Sequence, residues 1–350
     1  MQEIGDYKIK RPQFILFLDK DGTTNLEDKN LNHIFHLVST MGGMVIFVTG
    51  RTVGDIEGEL KQKKVNVPEI IVGDNGAVIC YTKTGELVEQ KTLEHEKVMQ
   101  MVNNFLVNGG EKDLIRYTNG KEVFASKEKS VQKYYKGNKI VKFCDDIYET
   151  IEKAEDITKV TLAGKEELMK QSAQFVEQLD CWSDRGVTKF PKKESENYRL
   201  DIAQRNISKG DAVKSLVQKL QPHCGYICVG NGANDMSMFK TAIDDGMRVA
   251  VVEAKRGSKE KEEMDKVFEE IRQYSQEKKK GRVERVPFDR NLANQYILKK
   301  AKCFQECMAR KEKQRQKPKR LPNLPRIKVE GIDTKNISRG TGWQDRNKER

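Results

Sequence analysis

The chain is 350 residues long and carries 65 Lys and Arg against 53 Asp and Glu, a formal net charge of +12. With 34% charged and 37% hydrophobic residues it has apolar material for two modest domains but not for packing its whole length, and no run is long and apolar enough to span a bilayer. An odd number of cysteines, seven, and no secretory leader predict a reducing compartment, the cytoplasm.

Phe14-Ile-Leu-Phe-Leu18 reads as a strand buried on both faces, being a short apolar run of aromatic and β-branched types. It ends in Asp19-Lys-Asp21 followed by Gly22. Alternation predicts that Asp19 and Asp21 point the same way, and Gly22 lets the backbone pass close to an anion. One carboxylate can attack phosphorus while the other handles the leaving-group proton, and both can ligate a divalent cation. An Asp-Gly turn capping a strand gives the same pattern.

Val45-Ile-Phe-Val48 is a second apolar run, with the hydroxyl of Thr49 and the amide of Gly50 just past its carboxyl end, suited to holding phosphate oxygens. A third follows at Ile70-Ile-Val72. The interval between Asp19 and Thr49 has room for a helix and a strand only, whereas that from Val72 to Lys209 is long enough for a separate small domain of mixed type. Within it, Lys121–Ala125 and Lys159–Ala163 read as strands and Glu166–Leu179 as an amphipathic helix. Lys189, Lys192, Lys193 and Arg199 are cations on the way out, either a solvated basic loop or groups that meet a second phosphate or a sugar acid.

Ser208 reads as a helix N-cap with Asp211 as its capping-box partner, which places Lys209 in the first turn, a cation at an anion-binding helix start. Tyr226-Ile-Cys-Val229 is a further strand, followed by Gly230-Asn-Gly-Ala-Asn-Asp235, whose last acid can complete a metal shell. Cys224, Cys228 and His223 resemble a partial metal site, yet Cys228 falls inside the strand, and Cys303 and Cys307 have no second pair, so structural thiols are expected. Each signal has a bland counterpart in a core threonine, a solvated lysine or a turn. Their shared position at the carboxyl ends of apolar strands is where open α/β sheets bind ligands.

After Val252 the sequence becomes charge-dense helix, and after Gln314 it is rich in Pro, Lys and Arg. Residues 310–350 hold fourteen Lys and Arg against five Asp and Glu. Such a tail is expected to be disordered. It predicts contact with nucleic acid, an acidic protein or an anionic membrane surface, with Trp343 as its one aromatic, or a solvating role with no specific partner.

The order Asp-x-Asp-Gly-Thr, Val-Thr-Gly-Arg, Ser-Lys-Gly and Gly-x-Gly-x-Asn-Asp resembles the haloacid dehalogenase superfamily, in particular its Cof-type phosphatases with a cap of the second class, over roughly residues 10–255. The resemblance implies an α/β fold: a Rossmann-like core with a parallel sheet over residues 1–82 and 198–255, an inserted α/β cap over 83–197, a charged helical extension over 256–313 and a basic tail over 314–350. Gly73-Asp-Asn-Gly-Ala77 resembles the entry to the cap and Tyr198–Ile202 the return.

The resemblance further implies a Mg²⁺-dependent phosphohydrolase acting on a small phosphomonoester, such as a sugar phosphate, through an aspartyl-phosphate. Asp19 resembles the nucleophile and Asp21 the general acid and base. Thr49, Gly50, Lys209 and Asn234 resemble the phosphate-binding groups, and Asp19, Asp21, Asn231 and Asp235 the metal ligands. Transport ATPases of this fold carry threonine where Asp21 stands, so hydrolysis is the expected end of the reaction. The pattern departs at Asn231, where an aspartate is usual. A nucleic-acid-end phosphatase using the tail, or a binding protein with a weakened metal site, are the other readings.

Overall fold

A computed structural model describes residues 2–4, 7–21, 23, 31–136, 138–182, 187–189, 197–253 and 260–286, with positions 299 and 306 beyond them. The expectations for Gly22, Lys192, Lys193, Cys303, Cys307 and the tail with Trp343 lie outside the described residues.

The chain opens with the hairpin β1 (Gln2–Ile4) and β2 (Tyr7–Ile9) and then enters the larger sheet. Four strands with two helices come first: β3 (Ile15–Leu18), α1 (Leu31–Thr40), β4 (Met44–Val48), α2 (Val53–Gln62), β5 (Ile70–Gly73) and β6 (Val78–Tyr81). β7 (Glu86–Gln90) pairs antiparallel with β6, so this sheet runs on past residue 83, where the sequence reading starts the cap.

The cap follows as α3 (His95–Val107), β8 (Ile115–Thr118), β9 (Val123–Ser126), α4 (Lys129–Tyr134), β10 (Val141–Cys144), α5 (Ile147–Glu152), β11 (Lys159–Gly164), α6 (Glu166–Gln178), β12 (Cys181–Trp182), β13 (Val187–Lys189) and β14 (Tyr198–Gln204). β14 is bonded to β11 inside the cap sheet, so residue 198 is not the return to the core. That return comes at α7 (Lys209–Leu220), which is followed by β15 (Tyr226–Gly230), α8 (Met236–Asp244), β16 (Arg248–Val252), α9 (Glu260–Lys278) and β17 (Arg282–Val286).

The core sheet has the order β17-β16-β15-β3-β4-β5-β6-β7 and is parallel from β17 through β5. The described part of the expected helical extension, residues 260–286, is therefore part of the core. α9 sends Val267 and Ile271 into the same apolar cluster as α7 and α8, and β17 closes the sheet's edge. Its high charge marks only the solvent side of an amphipathic helix.

Alternate residues of β3 face opposite layers. Leu16 and Leu18 pack with Leu31, Ile34, Ile56 and Leu60 of α1 and α2. Ile15 and Phe17 pack with Val213, Leu216, Met238 and Phe239 of α7 and α8. Covering both faces is what permits the uninterrupted apolar run.

The cap sheet is covered on one side. Ile115, Tyr117, Val160, Leu162, Leu200 and Ile202 pack against α3, α5 and α6. Arg116, Thr118, Lys159, Thr161, Arg199 and Asp201 alternate with them and therefore face the other way. No helix among the described residues is long and apolar enough to cross a membrane.

Candidate active site at the core–cap cavity

The site is built on the carboxyl edge of the core sheet. β3 stops at Leu18, and the Asp19 amide donates to Val229 O at 2.8 Å, which holds the two central strands together to their ends. Asp19 is buried, and its Oδ2 accepts the Thr23 hydroxyl at 3.1 Å. Lys209, the first residue of α7, has Ser208 as its N-cap, whose hydroxyl accepts from the Asp211 amide. The capping-box spacing thus delivers the lysine as expected.

The Lys209 ammonium is completely buried and bridges Asp19 Oδ1 at 2.6 Å and Asp235 Oδ1 at 2.7 Å. Asp235 Oδ2 accepts the amides of Asn231 at 2.8 Å and Gly232 at 3.0 Å. A Cβ at Gly230 would lie 2.5 Å from that same oxygen, so the turn needs glycine there. Burial, and then the charge of Asp235, push the Asp19 carboxyl up to about 7 despite Lys209. Burial alone would lower the Lys209 ammonium, but the two carboxylates outweigh it and hold its pKa above the ordinary value.

Asp21 does not join this cluster. Its side chain is 51% exposed and lies 2.8 Å from Lys20 Nζ and 3.5 Å from Arg51 Nη1. The alternation argument ends with β3, and the two cations draw Asp21 to the rim of the cavity. Lys20 and Arg51 also share Glu59, at 2.6 Å each. Burial would raise Glu59, but these two ion pairs overcome it and hold its carboxyl at about 2.

Thr49 is buried beyond β4, and its Oγ1 accepts the Arg51 amide at 3.2 Å, leaving its own proton to donate. Gly50 lines the cavity. Asn234 is buried, and its Nδ2 has no hydrogen-bond partner. Orphaned buried donors of this kind are uncommon and fit an anion.

Asp74, Lys159 and Arg116 were missed by the motif reading. Asp74 is fully buried at the turn after β5 and accepts the hydroxyls of Thr118 at 2.8 Å and Thr158 at 2.7 Å. Lys159 Nζ binds Asp74 Oδ1 at 2.9 Å and Gly50 O at 2.8 Å, tying cap to core. Asp74 and Asn75 are left-handed, at φ 47° and 57°, a conformation Asp and Asn tolerate better than most residues. Gly76 follows at φ 106° with Ser208 O against the position a Cβ would take. The polar–apolar alternation of β8, β11 and β14 was the signal available for Arg116 and Lys159.

Between core and cap lies a cavity of ≈ 260 Å³ that reaches Asp19, Asp21, Gly50, Asn75, Arg116 and Arg199. Among the described residues no group of three or more His, Cys, Asp and Glu is arranged to hold a metal. Asp19 and Asp235, with the buried Asn231, whose backbone amide meets Asp235 and whose side chain carries a carbonyl oxygen, instead offer hard oxygens. Mg²⁺ takes such a set when it keeps waters and shares phosphate oxygens, so the residues fit it. His223 and Cys224 are engaged through their backbone amides with Pro12 and Gln13, and Cys228 is buried in β15, as a structural thiol.

The family model for haloacid dehalogenase-like hydrolases matches residues 16–273. The chain belongs to this family. Its fold is shared with TM0651 from Thermotoga maritima, at 16% identity, covering 82% of this chain and 96% of that one with a TM-score of 0.59. A haloacid dehalogenase-like hydrolase from Bacteroides thetaiotaomicron is similar at 18% identity, 81% and 98% coverage and a TM-score of 0.57. The subclass IIB sugar phosphatase BT4131 is similar at 15% identity, 77% and 93% coverage and a TM-score of 0.53. No curated protein matches the sequence.

Proposed function

We propose that this hydrolase is a cytoplasmic, Mg²⁺-dependent phosphatase of small phosphomonoesters that works through an aspartyl-phosphate on Asp19. The observation that carries this reading is the Lys209 bridge: a buried ammonium 2.7 Å from Asp235 and 2.6 Å from Asp19, which itself lines a small polar cavity. A fixed cation beside a carboxylate at the ligand-binding edge of the sheet is what phosphoryl transfer to that carboxylate requires.

In the first step Asp19 attacks phosphorus, the bond to the ester oxygen breaks with its electron pair, and Asp21 gives that oxygen a proton. In the second, Asp21 takes a proton from water, the water oxygen attacks phosphorus, and the bond to Asp19 breaks. Asp19 returns as a carboxylate and Asp21 as an acid. The exposed Asp21 side chain has room to turn from Lys20 toward the cavity for both transfers. Lys209, the Thr49 hydroxyl and Asn234 Nδ2 face the growing charge on the phosphoryl oxygens. Mg²⁺, held by Asp19, Asp235 and Asn231, would supply further positive charge for those oxygens. The sugar phosphatase BT4131 among the fold relatives supports a sugar-phosphate-sized substrate.

Asp19→Asn is expected to lower phosphate release from an aryl phosphate by about a thousandfold or more, since in this reading Asp19 supplies the nucleophile. Release at an undiminished rate would refute the assignment. Absence of Mg²⁺-dependent turnover across a panel of phosphomonoesters would instead identify a binding protein that keeps the fold.

A further inference from the structure

The polar face of the cap sheet meets the cavity in three rows. Thr118 and Lys159, register partners on β8 and β11, are nearest the core, because both bind Asp74. Arg116, Thr161 and Asp201 are partners across β8, β11 and β14 and form the second row. Arg199, opposite Ala163, forms the third. Same-face residues two apart are separated by about 6.6–6.8 Å along a strand, so Arg199 stands about 13 Å beyond the first row.

These rows differ in what they hold. Lys159 is committed to the core by Asp74 and Gly50 O. The second and third rows bring two guanidinium groups, Arg116 and Arg199, into the cavity lining together with Asp201. Asp201 accepts the Thr161 hydroxyl at 2.7 Å and lies 3.5 Å from Arg199 Nε. Arg116 is only 8% exposed, and its guanidinium carbon is 5.0 Å from the ring centres of both Tyr134 and Tyr135. Two rings at that distance fix the plane of the guanidinium, and a fixed guanidinium fork matches the paired oxygens of a carboxylate or phosphate.

We propose that Arg116 and Arg199 bind a second anionic group, a carboxylate or a second phosphate, at the end of the substrate away from Asp19. Resting on the phosphatase reading above, this narrows the substrate to a phosphomonoester that carries a second anion at its other end. The core carries the reacting phosphate, and the cap reads the other end by charge.

The test uses the full chain with Asp19→Asn, so that binding is read without turnover. Calorimetry in the presence of Mg²⁺ compares butyl phosphate, its analogue ending in a carboxylate and its analogue ending in a second phosphate. At least one doubly anionic probe is expected to bind roughly ten- to a hundredfold more tightly than butyl phosphate. That advantage is expected to shrink toward unity when Arg199→Gln or Arg116→Gln is added. Arg199 lies outside the tyrosine pair, so its variant keeps the test decisive if loss of Arg116 disturbs folding. The tighter of the two analogues tells carboxylate from phosphate.

Equal affinity for all three probes, an advantage that survives both substitutions, or no binding by folded protein would each overturn the proposal. Turnover of butyl phosphate by the unsubstituted chain decides the phosphatase reading separately.

Discussion

In the core, Lys209 has no exposed side-chain surface and is locked between two carboxylates, whereas in the cap Arg199 keeps 27% of its side chain exposed and stands 3.5 Å from its carboxylate neighbour. Arg199 lines the cavity and Lys209 is bonded to Asp19, which lines it too, but the two cations are held by different physics. A buried charge is held by partners that cannot be removed singly without leaving another charge unpaired in a medium that solvates it poorly. A partly exposed charge can exchange its partner for water at smaller cost. The core side of the site is therefore resistant to change, while the cap side can be altered one residue at a time. Fixed chemistry and adjustable selection can then share one cavity.

The comparison breaks most visibly if the two cations prove equally important to folding. Lys209→Met should destabilise the metal-free protein by about 3–5 kcal/mol, and Arg199→Met by about 1 kcal/mol or less, read from urea unfolding midpoints. Similar shifts for the two variants would end the distinction.

A smaller effect is expected at Asn231. A carboxylate there joins Asp19 and Asp235, so Asn231→Asp should melt at a lower temperature than the parent without Mg²⁺ and recover more on its addition. Its Mg²⁺ affinity should be roughly tenfold higher. Equal or weaker Mg²⁺ affinity by calorimetry would remove position 231 from the ligand set.

The smallest effect belongs to the rim. Glu59 is held at about 2, below its ordinary 4.5, by Lys20 and Arg51 against the pull of burial. A depressed carboxylate contributes stability above its unfolded value and loses it as pH falls through the folded one. The stability gap between the parent and Glu59→Gln should be constant above about 4.5 and close as pH falls toward about 2. A gap unchanged over that window would remove Glu59 from the rim's ion pairs.

Much of the core was legible in the sequence because strand, turn and cap signals are local. Five apolar residues before Asp19 announce β3, and Ser208 with Asp211 announces the start of α7. The meeting of Asp19, Lys209 and Asp235 follows from strand order, which the motif order supports but periodicity cannot supply. Asp21 lines the same cavity as Asp19, but its pairing with Lys20 and Arg51 lay beyond an alternation argument that ends with β3. α9 was set outside the core because its charge hid the buried Val267 and Ile271. The cap boundaries slipped because β7 extends the core sheet by a hairpin with β6, and β14 joins the cap sheet by pairing with the distant β11. Asp74 was read as part of a turn, and nothing local shows that Thr118, Thr158 and Lys159 converge on it.

The inserted cap also bears on the order in which the molecule is made. β3, which carries Asp19 at its end, pairs Ile15 with Tyr226, more than two hundred residues later in the chain. Every strand of the cap, by contrast, lies in one stretch from Ile115 to Gln204. During synthesis from the N-terminus the cap sheet has all its strands before β15 has emerged, and β17 arrives later still. Asp19 is translated before the whole cap and is among the last of these residues to be housed.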